Sequence, residues 1–353
     1  MKKNLRLCSV SFVVIVFALT ACQTATPTAE EIELTILPEH PVQQIELAGP
    51  VAAARAEVSG MAWCGESLIL MPQYPDQYAE EGIGQVFSIP KSQISGYLSN
   101  ELVSPIEPMQ ILFDTDNLPV ELGGFEGFEA ITFVGDRVYV TIEAREGTGM
   151  LGYLVSGSTN ADCSEIKLNR ETAVTLEPQA NLSNMSDETI IYYQNDIYTI
   201  YEANGLNINP NPVAHCFDEN LVPFGDVPMA QIEYRVTDAT TADADGVFWA
   251  INYFYPGDTK LIPAEDQIAM DYGIGASHQS AEQVERLIAF QITTEGIKLS
   301  DLPPIYLELT SGESNNWEGL ARMDNGFLLV TDEYPSTILG YVDDSELLEL
   351  IGD

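Results

Sequence analysis

The stretch EAITFVGDRVYVTIE, residues 129–143, opens and closes with a carboxylate and carries the turn residues Gly135 and Asp136 between two short apolar runs. Apolar runs on both sides of such a dipeptide predict a β-hairpin. The same frame returns without gaps at residues 59–73, 188–202, 238–252 and 318–332. In each copy the second residue is small, and a turn dipeptide comes before an apolar strand. The chain is therefore built on a repeated hairpin.

A further strand candidate follows each hairpin, and another lies ahead of the next one. Four strands per unit, repeated radially, are typical of a β-propeller. We predict an all-β fold, a five-bladed β-propeller, with six blades as the alternative. The stretch QQIEL at residues 43–47 lies ahead of the first hairpin. We expect this N-terminal strand to join the last blade, which would close the ring and remove an exposed sheet edge.

The composition limits the possible partners. The chain has 353 residues with 54 Asp and Glu against 14 Lys and Arg, a formal net charge of −40. Such an acidic surface repels phosphate backbones, which argues against nucleic acid as a partner. Hydrophobic residues make up 45% of the chain, enough for a large core.

The N-terminus predicts export. The basic start MKKNLR is followed by an apolar run too short for a comfortable transmembrane helix, so residues 1–21 form a predicted signal peptide. The stretch LTAC, which ends at Cys22, resembles the lipobox of bacterial lipoproteins. That resemblance implies cleavage before Cys22 and acylation of its thiol; an ordinary signal peptide cut nearby is the alternative. The expected location is the bacterial cell envelope, outside the cytoplasm and anchored by lipid, in the outer membrane if there are two membranes.

The rest of the chain divides simply. Residues 22–40 are predicted to hold the acylated cysteine and a disordered tether to the membrane, and residues 41–353 to form a single propeller domain. Three cysteines stay in the domain: Cys64, Cys163 and Cys216. An exported protein permits disulfides, and three cysteines allow at most one bridge, whose pairing the sequence leaves open.

The polar ends of the hairpins form the candidate site. The second strand of a hairpin runs back along the first, so both ends of the frame lie at the same mouth of the propeller. The first residues stand on the innermost strands and face the central tunnel: Ser59, Glu129, Glu188, Asp238 and Glu318. The last residues form a second, ligand-facing ring one layer outward: Gln73, Glu143, Glu202, Asn252 and Asp332. Arg145 is the best placed basic side chain beside them.

The inner ring predicts a bound cation. Carboxylates about 6 Å apart repel by roughly 3 kcal/mol per pair at an effective dielectric near 20. Four of them would cost about as much as the whole stability of a domain, about 5–15 kcal/mol. Raised pKa values would relieve part of this repulsion, and a cation would relieve more. The oxygen ligands favour a hard ion, so Ca²⁺ is predicted ahead of Mg²⁺ or Mn²⁺.

A five-bladed propeller that brings Ser and Glu side chains to an axial calcium resembles the soluble calcium-activated nucleotidases (apyrases). The starts SGMA and EGLA are similar to those of phytase-like bacterial lipoprotein propellers. The resemblance implies calcium in the tunnel, with the five first residues as its ligands. It also implies hydrolysis of nucleoside di- and triphosphates.

Long loops leave the same mouth, and long ordered loops are often binding loops or lids. We therefore predict a lipid-anchored envelope propeller with an axial calcium site that binds an unidentified ligand or partner protein on its loop face. A calcium-dependent phosphoester or phosphoanhydride hydrolase is the alternative, so enzymatic activity stays open at this stage. Glycoside hydrolysis by paired carboxylates ranks lower, because carboxylates that bind a metal cannot also serve as acid and nucleophile.

Overall fold

The computed structural model describes residues 34–79, 83–147, 149–310, 314–332 and 336–345. The predicted signal peptide, Cys22 and the tether up to residue 33 lie outside these ranges. Among the described helices, none combines the length and the apolar character needed to cross a membrane.

Three short strands come first and are followed by antiparallel units of about four strands. The N-terminal strands are β1 (Ile36–Leu37), β2 (Glu39–His40) and β3 (Gln43–Ile45). Unit 1 contains β4 (Val58–Cys64), β5 (Ser67–Pro72), β6 (Gly84–Pro90) and β7 (Met109–Asp114). Unit 2 contains β8 (Phe125–Val134), β9 (Arg137–Glu146), β10 (Gly149–Thr159), β11 (Glu165–Leu168) and β12 (Val174–Leu176).

The later units repeat this order. Unit 3 contains β13 (Asp187–Tyr193), β14 (Asp196–Tyr201), β15 (Val213–Asp218) and β16 (Pro223–Pro228). Unit 4 contains β17 (Arg235–Ala239), β18 (Val247–Phe254), β20 (Val284–Thr293), β21 (Gly296–Leu299) and β22 (Ile305–Leu307), with the short β19 (Ile274–Gly275) in a loop between them. Unit 5 contains β23 (Trp317–Met323), β24 (Gly326–Thr331) and β25 (Leu339–Asp343).

Helices are few and lie in the connections. The α-helices are α1 (Lys91–Leu98), α2 (Leu118–Glu121) and α3 (Gln267–Tyr272). Short 3-10 turns cover Pro50–Ala52, Ala54–Ala56, Pro75–Tyr78, Arg170–Thr172, Thr259–Leu261 and Ser277–Ser280.

The first strands of the units form a closed inner ring. The strand β4 contacts β8, β8 contacts β13, β13 contacts β17, β17 contacts β23, and β23 returns to β4. Each first strand pairs with the second strand of its own hairpin, and the remaining strands follow outward. This arrangement confirms the predicted all-β propeller; the number of blades, five with six as the alternative, stays a prediction.

An N-terminal strand closes the ring, as predicted. The strand β3 pairs antiparallel with β25, with Ile45 opposite Leu339 and Gln43 opposite Tyr341. The side chain of Ile45 is fully buried. The last sheet therefore takes its outer strand from the start of the chain.

The ordered chain begins before residue 41. The strand β1 pairs in parallel with β19, and β2 pairs in parallel with β22. The Glu39 carboxylate accepts hydrogen bonds from the backbone N–H and the hydroxyl of Ser277, and it contacts His278 Nδ1 at 2.7 Å. Residues 34–40, which we expected in the disordered tether, are thus fixed along unit 4.

Apolar side chains fill the spaces between neighbouring units. Between units 1 and 2, for example, the rings of Phe113 and Phe128 meet edge to face at 5.4 Å. A disulfide between Cys64 and Cys163 joins the same two units and settles the pairing that the sequence left open. Cys216 is buried and free.

Candidate functional site

A β-bulge shapes every position of the inner ring. In each hairpin the pairing between the first and second strands shifts register at or beside the first residue of the frame: Ser59, Glu129, Glu188, Asp238 and Glu318. A bulge leaves one residue without a partner across the ladder and bends the strand, which re-aims its side chain. The repeated hairpin therefore carries a repeated device that directs polar side chains toward the axis.

The residue that follows each of these positions is small because the neighbouring inner strand lies very close to it. A Cβ added to Gly60 would lie 3.1 Å from the backbone oxygen of Glu129 and 3.2 Å from the backbone nitrogen of Ile131. A Cβ added to Gly319 would lie 2.8 Å from Cβ of Met61. Neighbouring inner strands are thus in contact at this level, and a larger side chain would force them apart.

The inward-facing side chains enclose a central cavity of about 70 Å³. Its lining consists of Ser59, Gln73, Glu129, Glu143, Asn184, Glu188, Arg235, Asn316, Glu318 and Asp332. Four of the five predicted inner residues and three of the second ring therefore meet around one space. The prediction that the hairpin ends converge is confirmed for these seven residues. Their predicted role as metal ligands or ligand-facing residues stays a prediction.

Asp238 does not face this cavity, although it occupies the same position in its frame. One carboxylate oxygen accepts a hydrogen bond from the backbone N–H of Ala239 at 2.8 Å, and the other accepts one from Leu320 at 2.7 Å. Its carboxylate joins β17 to β23 and is fully engaged in that role.

The other second-ring residues lie behind or beside the lining. Asn252 accepts a hydrogen bond from Arg286 Nε at 2.8 Å. Arg145 is exposed on the rim and donates to Glu126 at 2.9 Å. Glu202 is fully buried behind the lining and forms an ion pair with Arg235.

Arg235 was missed by the sequence reasoning, and it brings a positive charge to the cavity. Its Nε lies 2.6 Å from Glu202 Oε1 and 3.4 Å from Asp258 Oδ2, and its Nη1 lies 3.9 Å from Glu318 Oε1. Burial lowers the pKa of Arg235, but the carboxylates of Glu202, Glu188 and Glu318 raise it by more, so the guanidinium stays charged. The sequence contained one signal for Arg235. It is a basic residue in a very acidic chain, and it lies three positions ahead of the fourth hairpin frame.

Burial raises the pKa values of most of the carboxyl groups. Burial raises the pKa values of Glu129, Glu188 and Glu318 well above the usual range for Glu. Burial and the charge of Glu202 raise the pKa of Glu143 to about 8. Burial also raises the pKa of Glu202 to about 7, although Arg235 opposes that rise. The repulsion that the sequence predicted is therefore relieved by protons and by Arg235.

The predicted calcium ion stays a prediction. Within the described ranges, no group of three or more His, Cys, Asp or Glu side chains is arranged as a metal site. Raised pKa values and Arg235 both reduce the net negative charge of the cavity.

Two cavity carboxyl groups retain unused hydrogen-bonding capacity. Glu143 Oε1 and Glu188 Oε2 are buried and have no hydrogen-bond partner among the described residues. Leaving a buried polar atom unpaired costs about 1–3 kcal/mol. A bound water, an ion or a catalytic role can account for such atoms. Protonated and ionised carboxyl groups side by side can perform general acid–base catalysis.

No protein-family model matches the chain, and no curated protein matches it. Solved structures do resemble it. One, described as a proposed glycoside hydrolase from Bacteroides ovatus, is 11% identical, with 87% of this chain and 98% of that chain covered and a TM-score of 0.50. A second proposed glycoside hydrolase, from Parabacteroides distasonis, is 11% identical, with 87% and 97% covered and a TM-score of 0.48. A proposed glucose dehydrogenase from Thermus thermophilus is 9% identical, with 85% and 99% covered and a TM-score of 0.45. At these identities the similarity shows the fold alone.

These findings correct the predicted function. The predicted function, a propeller that binds a ligand or partner on its loop face, is wrong, and so is its alternative, a calcium-dependent phosphoester or phosphoanhydride hydrolase; the calcium ion itself stays a prediction. The Bacteroides ovatus structure is described as a proposed glycoside hydrolase, not as a nucleotidase or phytase. Within the described part of the chain, Arg235 is the one basic side chain that lines the cavity. Polyphosphate binding usually needs several basic side chains. The resemblance to apyrases and phytases thus reaches no further than the architecture.

Proposed function

We propose that this protein is a carbohydrate-active hydrolase that cleaves a glycosidic bond with carboxyl groups of the central cavity. Glycoside hydrolysis requires one carboxylic acid that holds its proton and one carboxylate that carries charge, placed on either side of the bond. The observation that carries the proposal is the convergence of Glu129, Glu318 and Asp332 around one cavity, where burial raises the pKa values of the two Glu side chains. The proposal agrees in class with the Bacteroides ovatus structure, which is itself described as a proposed glycoside hydrolase.

Glu129 is the candidate acid. Burial and the charge of Glu143 raise its pKa well above the usual value, so it holds a proton at neutral pH. The amide of Gln73 donates to Glu129 Oε1 at 3.1 Å and fixes the orientation of the carboxyl group. Its other oxygen would carry the proton that passes to the oxygen of the departing alcohol.

Asp332 is the candidate charged partner. Electrostatic interaction with Asp332 contributes to the raised pKa values of both Glu129 and Glu318, which places its carboxyl group close to both of them. The side-chain amide of Asn316 donates to Asp332 Oδ2 at 3.2 Å. In the reaction Asp332 would either deprotonate a water molecule that attacks the anomeric carbon or attack that carbon itself. Both routes end with a free sugar and a free alcohol.

Arg235 acts as a positioning residue. Its ion pairs hold Glu202 and approach Glu318. Arg235 thereby brings a fixed positive charge to the lining of the cavity. Two carboxyl groups whose surroundings push their pKa values apart are the general pattern of acid–base pairs in enzymes.

The size of the cavity limits the geometry of the reaction. A volume of about 70 Å³ holds a few water molecules and not a whole sugar ring. The bond to be cleaved would therefore sit at the mouth, with the rings of the substrate held by the loops around it. The attacking water would come from the cavity.

The test is hydrolysis of a panel of neutral 4-nitrophenyl glycosides by the purified protein. Wild type is expected to release nitrophenol from at least one of them. Asp332→Asn should lower kcat by about 10²–10⁴-fold, the usual contribution of a general acid or base. Glu129→Gln should lower kcat by less on these substrates, because nitrophenolate departs without a proton from the acid. Asp238→Asn is the matched control, because its carboxylate comes from the same frame position and lies outside the cavity. Absence of hydrolysis by wild type, or full activity of both cavity variants, would contradict the proposal.

We also propose that acylation of Cys22 anchors the enzyme to a membrane of the cell envelope. The lipobox-like LTAC and the apolar run before it support this anchor. Cys22→Ser should release the protein from the membrane fraction and leave its melting temperature unchanged. Retention of the Cys22→Ser protein on membranes would refute the anchor.

A further inference from the structure

One aromatic side chain, that of Tyr74, follows a cavity residue in sequence and interacts electrostatically with the candidate acid. Tyr74 follows Gln73, whose amide contacts Glu129 at 3.1 Å. The Tyr74 side chain is 39% exposed, so part of it faces solvent while the rest is covered. Tyr74 also lies at the start of the short turn Pro75–Tyr78, which fixes its backbone.

Packing holds the ring of Tyr74 in one orientation. Its edge-to-face contact with Phe125 has a centroid distance of 6.4 Å and an interplanar angle of 72°. Phe125 in turn packs on the fully buried Phe128 at 5.2 Å. The row of three rings ties an exposed aromatic surface to the core of unit 2, so that surface is rigid before any ligand arrives.

Carboxyl groups of the cavity act electrostatically on the hydroxyl of Tyr74. Burial and the carboxylates of Glu129, Glu57 and Glu126 raise the pKa of Tyr74 to about 12. The hydroxyl therefore stays protonated at neutral pH and can donate a hydrogen bond. An anionic ligand would be repelled by the net negative charge of the chain, −40.

We propose that Tyr74 is the platform on which a neutral sugar ring of the substrate stacks while its glycosidic bond reaches Glu129. This inference rests on the proposed function and names the substrate class, neutral rather than acidic glycosides. A sugar ring has an apolar face of C–H groups and a polar edge, and tyrosine offers an apolar face and a polar tip. Because the cavity is too small for a ring, a rigid surface at the rim is needed to hold it.

The first experiment compares kcat and KM on the 4-nitrophenyl glycoside that wild type cleaves best. Tyr74→Ala should raise KM about tenfold with little change in kcat, because it removes binding worth about 1.4 kcal/mol. Tyr74→Phe should keep KM near the wild-type value. Tyr74→Leu keeps an apolar side chain without an aromatic face and should behave as Tyr74→Ala even if the alanine variant folds poorly. Tyr193→Ala is the matched control, because Tyr193 lies at the turn end of the hairpin β13–β14, whereas the cavity residues lie at the other end of the hairpins.

The second experiment separates this inference from the proposed function. Saturation-transfer NMR is measured on Glu129→Gln with neutral methyl glycosides and with methyl glucuronide as the acidic probe. Transfer to the neutral ring should be present, should be lost when Tyr74→Leu is added, and should be absent for the glucuronide. If wild type hydrolyses nothing but this transfer depends on Tyr74, the proposed function fails and the platform stands. If hydrolysis occurs and the Tyr74 variants change neither KM nor the transfer, the platform is refuted and the proposed function stands.

Discussion

At the scale of single residues, the charge of the cavity depends on partners far apart in sequence. The hairpin frames predicted where polar side chains would converge, because the frame repeats without gaps and the turn fixes the strand ends. They did not predict Arg235, which meets Glu202 and Glu318 only once the ring is closed. They also gave Asp238 the same role as Glu129, although hydrogen bonds from Ala239 and Leu320 remove it from the cavity. Identical frame positions thus acquire different chemistry from tertiary contacts.

The raised pKa values predict that the protein loses stability as the pH rises. Unfolded Glu ionises near pH 4.3, whereas in the fold Glu202 keeps its proton to about pH 7 and Glu143 to about pH 8. Between these limits the folded state binds more protons than the unfolded state, so the free energy of unfolding falls with pH. Glu143→Gln should flatten the upper part of this fall.

Urea unfolding of wild type and Glu143→Gln at pH 5, 6.5 and 8 measures this effect. Glu126→Gln, on the rim and paired with Arg145, is the control for the general loss of one negative charge. Equal slopes for wild type and Glu143→Gln between pH 6.5 and 8 would contradict the assignment of a raised pKa to Glu143.

At the scale of elements, the hairpins and the closing strand were predictable and the shortest strands were not. Turn dipeptides between apolar runs are strong local signals, and they located the hairpins at the centre of every unit. The strands β1 and β2 have two residues each, too few for any periodicity. Their parallel pairing is set by the fixed position of β19 and β22, which local sequence does not reveal.

The closing strand predicts a sharp difference between two truncations. Deletion through residue 47 removes β3, exposes the edge of β25 and removes Ile45 from the core, which alone costs about 1.5–3 kcal/mol. Deletion through residue 33 leaves every described strand in place. The melting temperature should fall strongly for the first truncation and little for the second. Equal melting temperatures for the two proteins would show that β3 does not close the ring.

At the scale of the whole molecule, the site forms only when the ring of hairpins closes, because the hairpins together line the cavity. Each unit supplies between one and three polar side chains, and none of the units alone encloses the cavity. The sequence therefore predicted the architecture well, because radial repetition is visible along the chain. It did not predict the activity, since the charge state of each carboxyl group depends on its burial within the assembled ring.

The most direct test of the central claim measures how the activity of Glu129→Gln depends on the leaving group of the substrate. The assay compares kcat/KM of wild type and variant on a 4-nitrophenyl glycoside and on the methyl glycoside of the same sugar. Nitrophenolate departs without a proton, whereas methanol needs one from the acid. If Glu129 is the acid, the variant should lose much more activity on the methyl glycoside, by up to the 10²–10⁴-fold that general acid catalysis contributes, and less on the nitrophenyl glycoside. Equal losses on both substrates, or no loss on either, would contradict the account.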